Sequence, residues 1–221
     1  MTKGDTRKPE RELEQRVLIR QDWISAARQV LIDKGVGGIK LRALSESLGA
    51  TTGAFYWQYR NLEELLEDVR QDWAERNTVP FTRAISEAGP SGMHQYIAYV
   101  RTLVLGGEFN PRYDNAIRDW AHGDKRTADV LREIEVFRIN QLRGVFAALG
   151  FEGHEALIRA RVTYFHQAGY NAMQITETLE ERLLNIPYYA EILTDRAQLR
   201  SLKTAEEVRA FLLAPTALEH E

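Results

Sequence analysis

The chain has 221 residues, 44% of them hydrophobic and 28% charged, with a formal net charge of −3 and no cysteine. That composition supports a sizeable core in one large domain or two small ones, and it excludes a disulfide framework and thiolate chemistry. No apolar run approaches the roughly 18 residues of a membrane span, and the N-terminal MTKGDTRKPERE lacks the apolar core of a signal peptide, so a cytoplasmic protein without membrane contact is expected.

Charge is unevenly spread. Residues 1–60 hold 11 Lys and Arg against 7 Asp and Glu, whereas residues 61–221 hold 18 against 25. A locally positive N-terminal part favours contact with phosphates, and the acidic remainder is kept off a polyanion.

Residues 1–9 carry Lys3, Arg7 and Lys8 without helical periodicity. A solvated tail is the favoured reading, with a basic arm on the DNA backbone or minor groove as the alternative. A first helix is expected over 10–34, with Ile19, Trp23, Ala27, Val30 and Leu31 on its inner face. The glycines at 35, 37 and 38 end it, and Lys40, at the start of the next helix, can touch a phosphate.

Leu41, Leu44 and Leu48 recur at helical spacing, and Gly49 follows, the residue best able to end a helix in the left-handed conformation. Ala50 is small enough for a turn, and Thr51 can cap a short helix over 52–58. On that helix Phe55 and Tyr59, four apart, face inward. Thr52, Gly53, Ala54, Tyr56, Trp57 and Gln58 line the outer face and its flanks. Asn61-Leu-Glu-Glu64 is a capping-box-like start for a helix that carries Leu62, Leu65, Leu66, Val69 and Trp73 on one stripe. Pro80 ends it, placing a boundary at 78–80.

Spacing alone fits either a helix-turn-helix or another hairpin in a helical core. The outer face separates the two readings. Tyr56 and Trp57 beside Thr52 and Gln58 make a poor solvated surface but a good DNA surface. Their rings suit thymine methyls, and the hydroxyls and amide suit phosphates and base edges.

Further along, short helices are expected at 81–88, 93–105 and 113–122, and a long one to residue 149 opened by an Asp124 cap. The helix expected at 155–179 carries Phe165, Ala168, Gly169, Ala172 and Ile175 or Thr176 as a stripe with small residues at its centre. That stripe is either a dimer interface or an ordinary core face; pairing of helix-turn-helix units on two half-sites favours the interface. Ile186-Pro187 is expected to break the chain, residues 188–195 to form a short helix, and Thr204-x-x-Glu207 to cap a last one ending near 213. The fold class is therefore all-α, with an N-terminal helix-turn-helix three-helix bundle and linking helix over 1–79 and a larger helical domain over 80–221.

The five histidines are scattered with no i, i+4 pair, so no metal is expected. No phosphate loop, nucleophile elbow or convincing carboxylate pair stands out, so neither cofactor nor enzyme activity is expected.

The stretch Gly49, Thr51, Gly53-Ala54-Phe55-Tyr56, Tyr59, Arg60-Asn61 and Glu64-Leu65-Leu66 resembles the TetR family of transcriptional regulators. The resemblance implies that Arg42 lies on the helix before the turn, within reach of a guanine or a phosphate. It also places Thr52, Gly53, Ala54, Tyr56, Trp57 and Gln58 on the recognition helix. Two positions depart from the family pattern: Gln58 stands where histidine is frequent, and Leu62 where a phosphate-binding lysine is usual. Arg60 or the helix N-terminus is the expected substitute, with Tyr59 and Lys40 helping to hold the backbone. The resemblance further implies a small-molecule pocket in the C-terminal part, for which Tyr96, Arg118, Trp120, His122, Asn140, Gln141, His166 and Tyr170 are the candidate polar lining.

The expectation is a homodimeric regulator bound to a palindromic operator in double-stranded DNA, a repressor released by a small-molecule effector. Two other readings stay open: a helical ligand-binding or scaffolding protein that kept the helix-turn-helix shape without DNA affinity, and an all-α enzyme with its chemistry in the C-terminal cavity.

Overall fold

The computed structural model describes residues 19–214, which form eleven α-helices and no strand. The expected basic arm and the 10–18 part of the first helix lie outside the described residues. The N-terminal head is built from α1 (Arg20–Lys34), α2 (Leu41–Ser47), α3 (Thr52–Tyr56) and α4 (Leu62–Arg76). The body comprises α5 (Val79–Glu87), α6 (Gly92–Val104), α7 (Pro111–Ala121), α8 (Lys125–Ala148), α9 (Gly153–Ala172), α10 (Leu179–Thr194) and α11 (Ala205–Leu213).

The helices begin where the sequence supplies side-chain acceptors. Asn61, Asn110, Asp124 and Thr204 each accept a hydrogen bond from a backbone N–H in the first turn that follows. Pro80 and Pro111 sit in the first turns of α5 and α7, where a missing N–H costs nothing. Two expectations fail. The expected 155–179 helix stops at Ala172, and Gln174 follows at positive φ, so Ile175 and Thr176 lie in the link to α10. Pro187 does not break the chain: α10 runs straight through it. The lost N–H costs roughly 3 kcal/mol. Burial of Leu183, Ile186, Ala190 and Leu193, together with the Thr178–Glu181 capping box, offsets it.

Two apolar clusters hold the molecule together, and their border does not follow the chain at residue 80. The head cluster contains Trp23, Ala27, Leu31, Leu44, Phe55, Leu65, Val69 and Trp73, and it also takes in Tyr113, Ala116, Ile117 and Trp120 of α7. Ile19, expected in this core, is exposed. The body cluster is built mainly from α6, α8, α9, α10 and α11. Helix α7 therefore lies between the two, one face in the head core and the other toward the body.

Polar contacts lock the same joint. Arg70 of α4 is buried, with its guanidinium 4.5 Å from the Trp120 ring centroid. It bonds Thr127 at 2.9 Å and pairs with Glu63 at 3.0 Å, Glu67 at 2.9 Å and Asp124 at 3.3 Å. Asp124 is the cap of α8, so one guanidinium ties the head's last helix to the start of the longest body helix. Arg70→Ala removes these charge-assisted bonds while the three acids keep partial access to water. It is expected to lower stability by about 2–3 kcal/mol, read from the midpoint of urea unfolding with an unchanged slope.

Candidate nucleic-acid interface

Helix α2 ends through Gly49, at φ 62°, and the Ala50 N–H reaches back to the Ser45 carbonyl at 2.8 Å. Thr51 then caps α3, its Oγ1 accepting from the Ala54 N–H at 3.2 Å. A five-residue helix has no stability of its own. What holds it is one inward edge. Phe55 is fully buried, edge-on to Trp23 at 5.2 Å and stacked on Tyr59 at 5.2 Å.

The C-terminal end of this short helix is clamped from two sides. Arg20 donates to the Gln58 carbonyl at 3.1 Å and to Asp68 at 2.9 and 3.0 Å, with its Cζ 4.3 Å from the Tyr59 ring centroid. The Tyr59 hydroxyl donates to the same Asp68 oxygen at 2.9 Å. Burial first, then the Asp68 carboxylate, push that hydroxyl well above the ordinary tyrosine range, so it remains a donor. Glu64 accepts from the Arg60 N–H at 2.9 Å and is pulled below the usual carboxylate range, chiefly by that bond. Sequence reasoning missed Arg20, Asp68 and Glu64 as the frame of the helix. The available signal was Tyr59 itself, since an inward tyrosine needs a partner for its hydroxyl.

Most of the remainder of α3 faces solvent. Tyr56 is 60% exposed and Trp57 88%, and Thr51, Thr52 and Gly53 are exposed, with Ala54 and Gln58 half-buried beside them. Lys40, Arg42 and Arg60 flank this face and are exposed; Arg42 pairs with exposed Glu46 at 2.8 Å. One expectation is corrected: Tyr59, at 2% exposure and bound to Asp68, is part of the frame and cannot put its side chain on a DNA backbone. Leu62 packs partly into the head cluster, and Glu63 and Glu64 make the first turn of α4 acidic; Arg60, paired with Glu64 at 3.3 Å, is exposed at that corner.

Residues 24–69 match the family model of bacterial regulatory proteins, tetR family. This head therefore carries the DNA-binding domain of the TetR family. Over most of its length the chain shares its architecture with a structure described as a transcriptional regulator from Rhodococcus sp. Rha1. That structure is 17% identical, with a TM-score of 0.59 over 88% of this chain and 96% of the other. A structure from Rhodococcus sp. described as a TetR-family transcriptional regulator aligns at 16% identity over 89% of this chain and 95% of its own, with a TM-score of 0.45. No curated protein sequence matches the chain. At such identities the likeness concerns the fold, and it is the TetR-type head that supports a DNA-binding regulator.

The candidate effector residues are spread over three separate spaces, and two of them line none. Arg118 and Gln141 line a cavity between α5, α6, α7, α8 and α9. Tyr96, His166 and Tyr170 line a second one, between α6, α9 and α10. Trp120 lies in the head cluster and borders a groove along residues 35–37, which Tyr170 also reaches. His122, at the end of α7, and Asn140, on the outer side of α8, are exposed and line none of these spaces. Asp114, Arg138 and Tyr164, not foreseen from the sequence, form the polar wall of the first cavity.

The expected dimer stripe is split as well. Phe165 and Ala172 are exposed and Gly169 is half-buried, whereas Ala168 lines the first cavity and Ile175 borders the groove. Ile158 and Val162 continue the exposed line of Phe165 along α9, and α8 adds exposed Val136 and Phe137. Among the described residues, no group of three or more His, Asp or Glu could hold a metal ion, and no helix is long and apolar enough to cross a membrane.

The frame and the outer face make opposite predictions. Tyr59→Phe is expected to cost about 1–2 kcal/mol, because Asp68 loses a partner. Trp57→Ala is expected to fall within about 0.5 kcal/mol of the parent. Thermal unfolding of the two variants side by side checks this.

Proposed function

We propose that the protein is a homodimeric repressor that binds a palindromic operator and is released from it by a small-molecule effector. The observation that carries the DNA-contact assignment is the exposure of Tyr56 and Trp57 on a helix whose opposite edge is fully buried. Large aromatic rings held in water by a rigid frame have a reason to be there only if something covers them. A major groove accepts a helix of this size and offers thymine methyls to the rings.

In this reading Tyr56, Trp57, Thr52 and Gln58, with Gly53 and Ala54 allowing close approach, contact base edges. Arg42 reaches a base or a phosphate. Lys40, Arg60 and the Thr51 hydroxyl hold the backbone.

Dimerisation is assigned to the outer faces of α8 and α9, the most extensively packed helix pair of the fold. Each helix carries exposed apolar residues, Val136 and Phe137 on α8 and Ile158, Val162 and Phe165 on α9. Gly144 sits on the same side of α8 with open space where a Cβ would be. An interior helical glycine costs about 1 kcal/mol against alanine, which is sensible where a partner helix must come close. Phe165, Gly169 and Ala172 remain in the proposed interface; Ala168, Ile175 and Thr176 do not.

Two heads on a dimer match two half-sites roughly one helical turn apart. An effector that prefers a different head separation lowers operator affinity by its differential affinity for the two states.

Fluorescence anisotropy with DNA from upstream of the protein's own reading frame tests the reading. Tyr56→Ala is expected to weaken specific binding at least tenfold and to relax preference at one position. Arg60→Ala is expected to weaken all sequences alike and to flatten the salt slope by about one unit. Unchanged affinity in Tyr56→Ala would remove the assignment of α3 as the reading helix. For the dimer, Gly144→Arg is expected to shift sedimentation from dimer to monomer with the helical circular-dichroism signal intact. A dimer that survives this substitution places the interface elsewhere.

A further inference from the structure

The groove along residues 35–37 lies between head and body and has about 860 Å³ of free space. Small-molecule sites span roughly 300–1,000 Å³ and favour such borders between structural units. The two cavities inside the body have about 30 and 70 Å³. At roughly 10–15 Å³ per water, those hold a few waters each. A ligand of ordinary size has its room in the groove.

Both parts of the molecule line it. The head supplies Ile32 and the 35–37 link; the body supplies the side of α7 from Pro111 to Trp120, Ile175 past the end of α9, and Arg182 of α10. Ile32 and Val36 are half-buried and Ile175 is 43% exposed, so apolar surface stands in water on both walls. Covering that surface is favourable.

Arg182 sets the charge of the occupant. It is half-buried, with its Cζ 5.1 Å from the Tyr170 ring centroid. Among the described residues its guanidinium has neither an ion pair nor a hydrogen bond. Arg20, Arg28, Arg118 and Arg159, also half-buried, each meet a carboxylate. Glu177, beside Tyr170, is bonded to the Tyr170 hydroxyl and to Asn185 instead. A planar guanidinium backed by a ring presents a fork that fits a carboxylate. Elsewhere on the groove, Arg112 is already paired with Asp33 at 2.9 Å, and Asp119 is an acid. One negative group finds its partner in Arg182, and a second would face Asp119.

We propose that the groove between head and body binds an organic monoanion with a flat apolar body, an aromatic carboxylate, its carboxylate on Arg182 and its rings against Ile32, Val36 and Ile175. The inference rests on reading the protein as an effector-controlled regulator, and it gives the effector a place and a class. The 35–37 link continues through buried Ile39 to Lys40 and Arg42 on the DNA-facing side of the head. An occupant touches head and body at once, so its affinity depends on how the two sit, and its binding biases them in return.

Calorimetric titration of the purified full-length protein with 2-naphthoate, and with its neutral isostere 2-naphthamide, tests the class. The expected result is saturable binding of the naphthoate, at least tenfold tighter than that of the amide. Arg182→Gln is expected to bring the naphthoate down to the level of the amide. Arg182 also lines the cavity between α6, α9 and α10, so a second variant tests the place. Gly37 lines the groove alone of the two, with open space where a Cβ would be. Gly37→Trp is expected to abolish binding of both compounds with the helical circular-dichroism signal and unfolding midpoint kept. No binding of 2-naphthoate by the wild type, equal binding of the amide, or full binding by Gly37→Trp overturns the proposal. DNA anisotropy on the same preparation separates the two failures: intact operator binding without naphthoate binding rejects the groove site and leaves the regulator standing.

Discussion

The structure depends on one buried carboxylate. Asp114 of α7 accepts from Trp73 and Asn77 of α4, from Arg118 on its own helix, and from Arg138 of α8. A carboxylate taken out of water is tolerated only when its lone pairs are filled and its charge is met. Here that requirement fixes three helices relative to one another at once. Arg138 extends the same set by donating to the Asn77 carbonyl, so the last turn of α4 is held through both side chain and backbone. Arg70 makes a second tie, to the cap of α8, at the other end of the α4–α8 contact.

The consequence is a continuous chain of packed and hydrogen-bonded side chains from the body to the head. Helix α7 buries Tyr113, Ile117 and Trp120 in the head core while Asp114 and Arg118 face the body cavity. Whatever changes the cavity wall acts directly on the helix that the head packs against. At the far end of α4, the Glu64 and Asp68 carboxylates hold Arg20 and Tyr59, and those in turn hold the end of α3. The short helix that faces solvent is thus two carboxylate-centred networks away from the cavity, one on α7 and one on α4, joined along α4.

Much of this was legible in the sequence where a local rule has a unique physical cause. Gly49 at positive φ, the Thr51 and Asn61 caps and the Asp124 cap all follow from residue type and position, and each lies where spacing put it. The outward placement of Tyr56 and Trp57 followed from Phe55 and Tyr59 taking the inner edge. Long-range pairing was not legible. Arg20 with Asp68 and Asp114 with Arg138 are separated by 48 and 24 residues, and nothing local to any of them marks the partner. Pro187 misled for a related reason: the local rule says break, but the burial that keeps α10 continuous is tertiary. Ala168 lines the first cavity, and Ile175 and Thr176 lie past the true end of α9, so none of the three shares the outer face that an unbroken helical period assigns them.

The central claim is that the head is held rigidly to the body through the Asp114 network, and that this rigidity sets how two heads meet a duplex. The most direct test is the operator affinity of Asp114→Asn, measured against salt concentration. The amide keeps the shape but loses the charge that pairs Arg118 and Arg138. The account predicts weaker binding with an unchanged salt slope, because no phosphate contact is touched and only the ordering of the heads is lost. Affinity equal to that of the parent, in a variant whose unfolding midpoint shows the network broken, would contradict it.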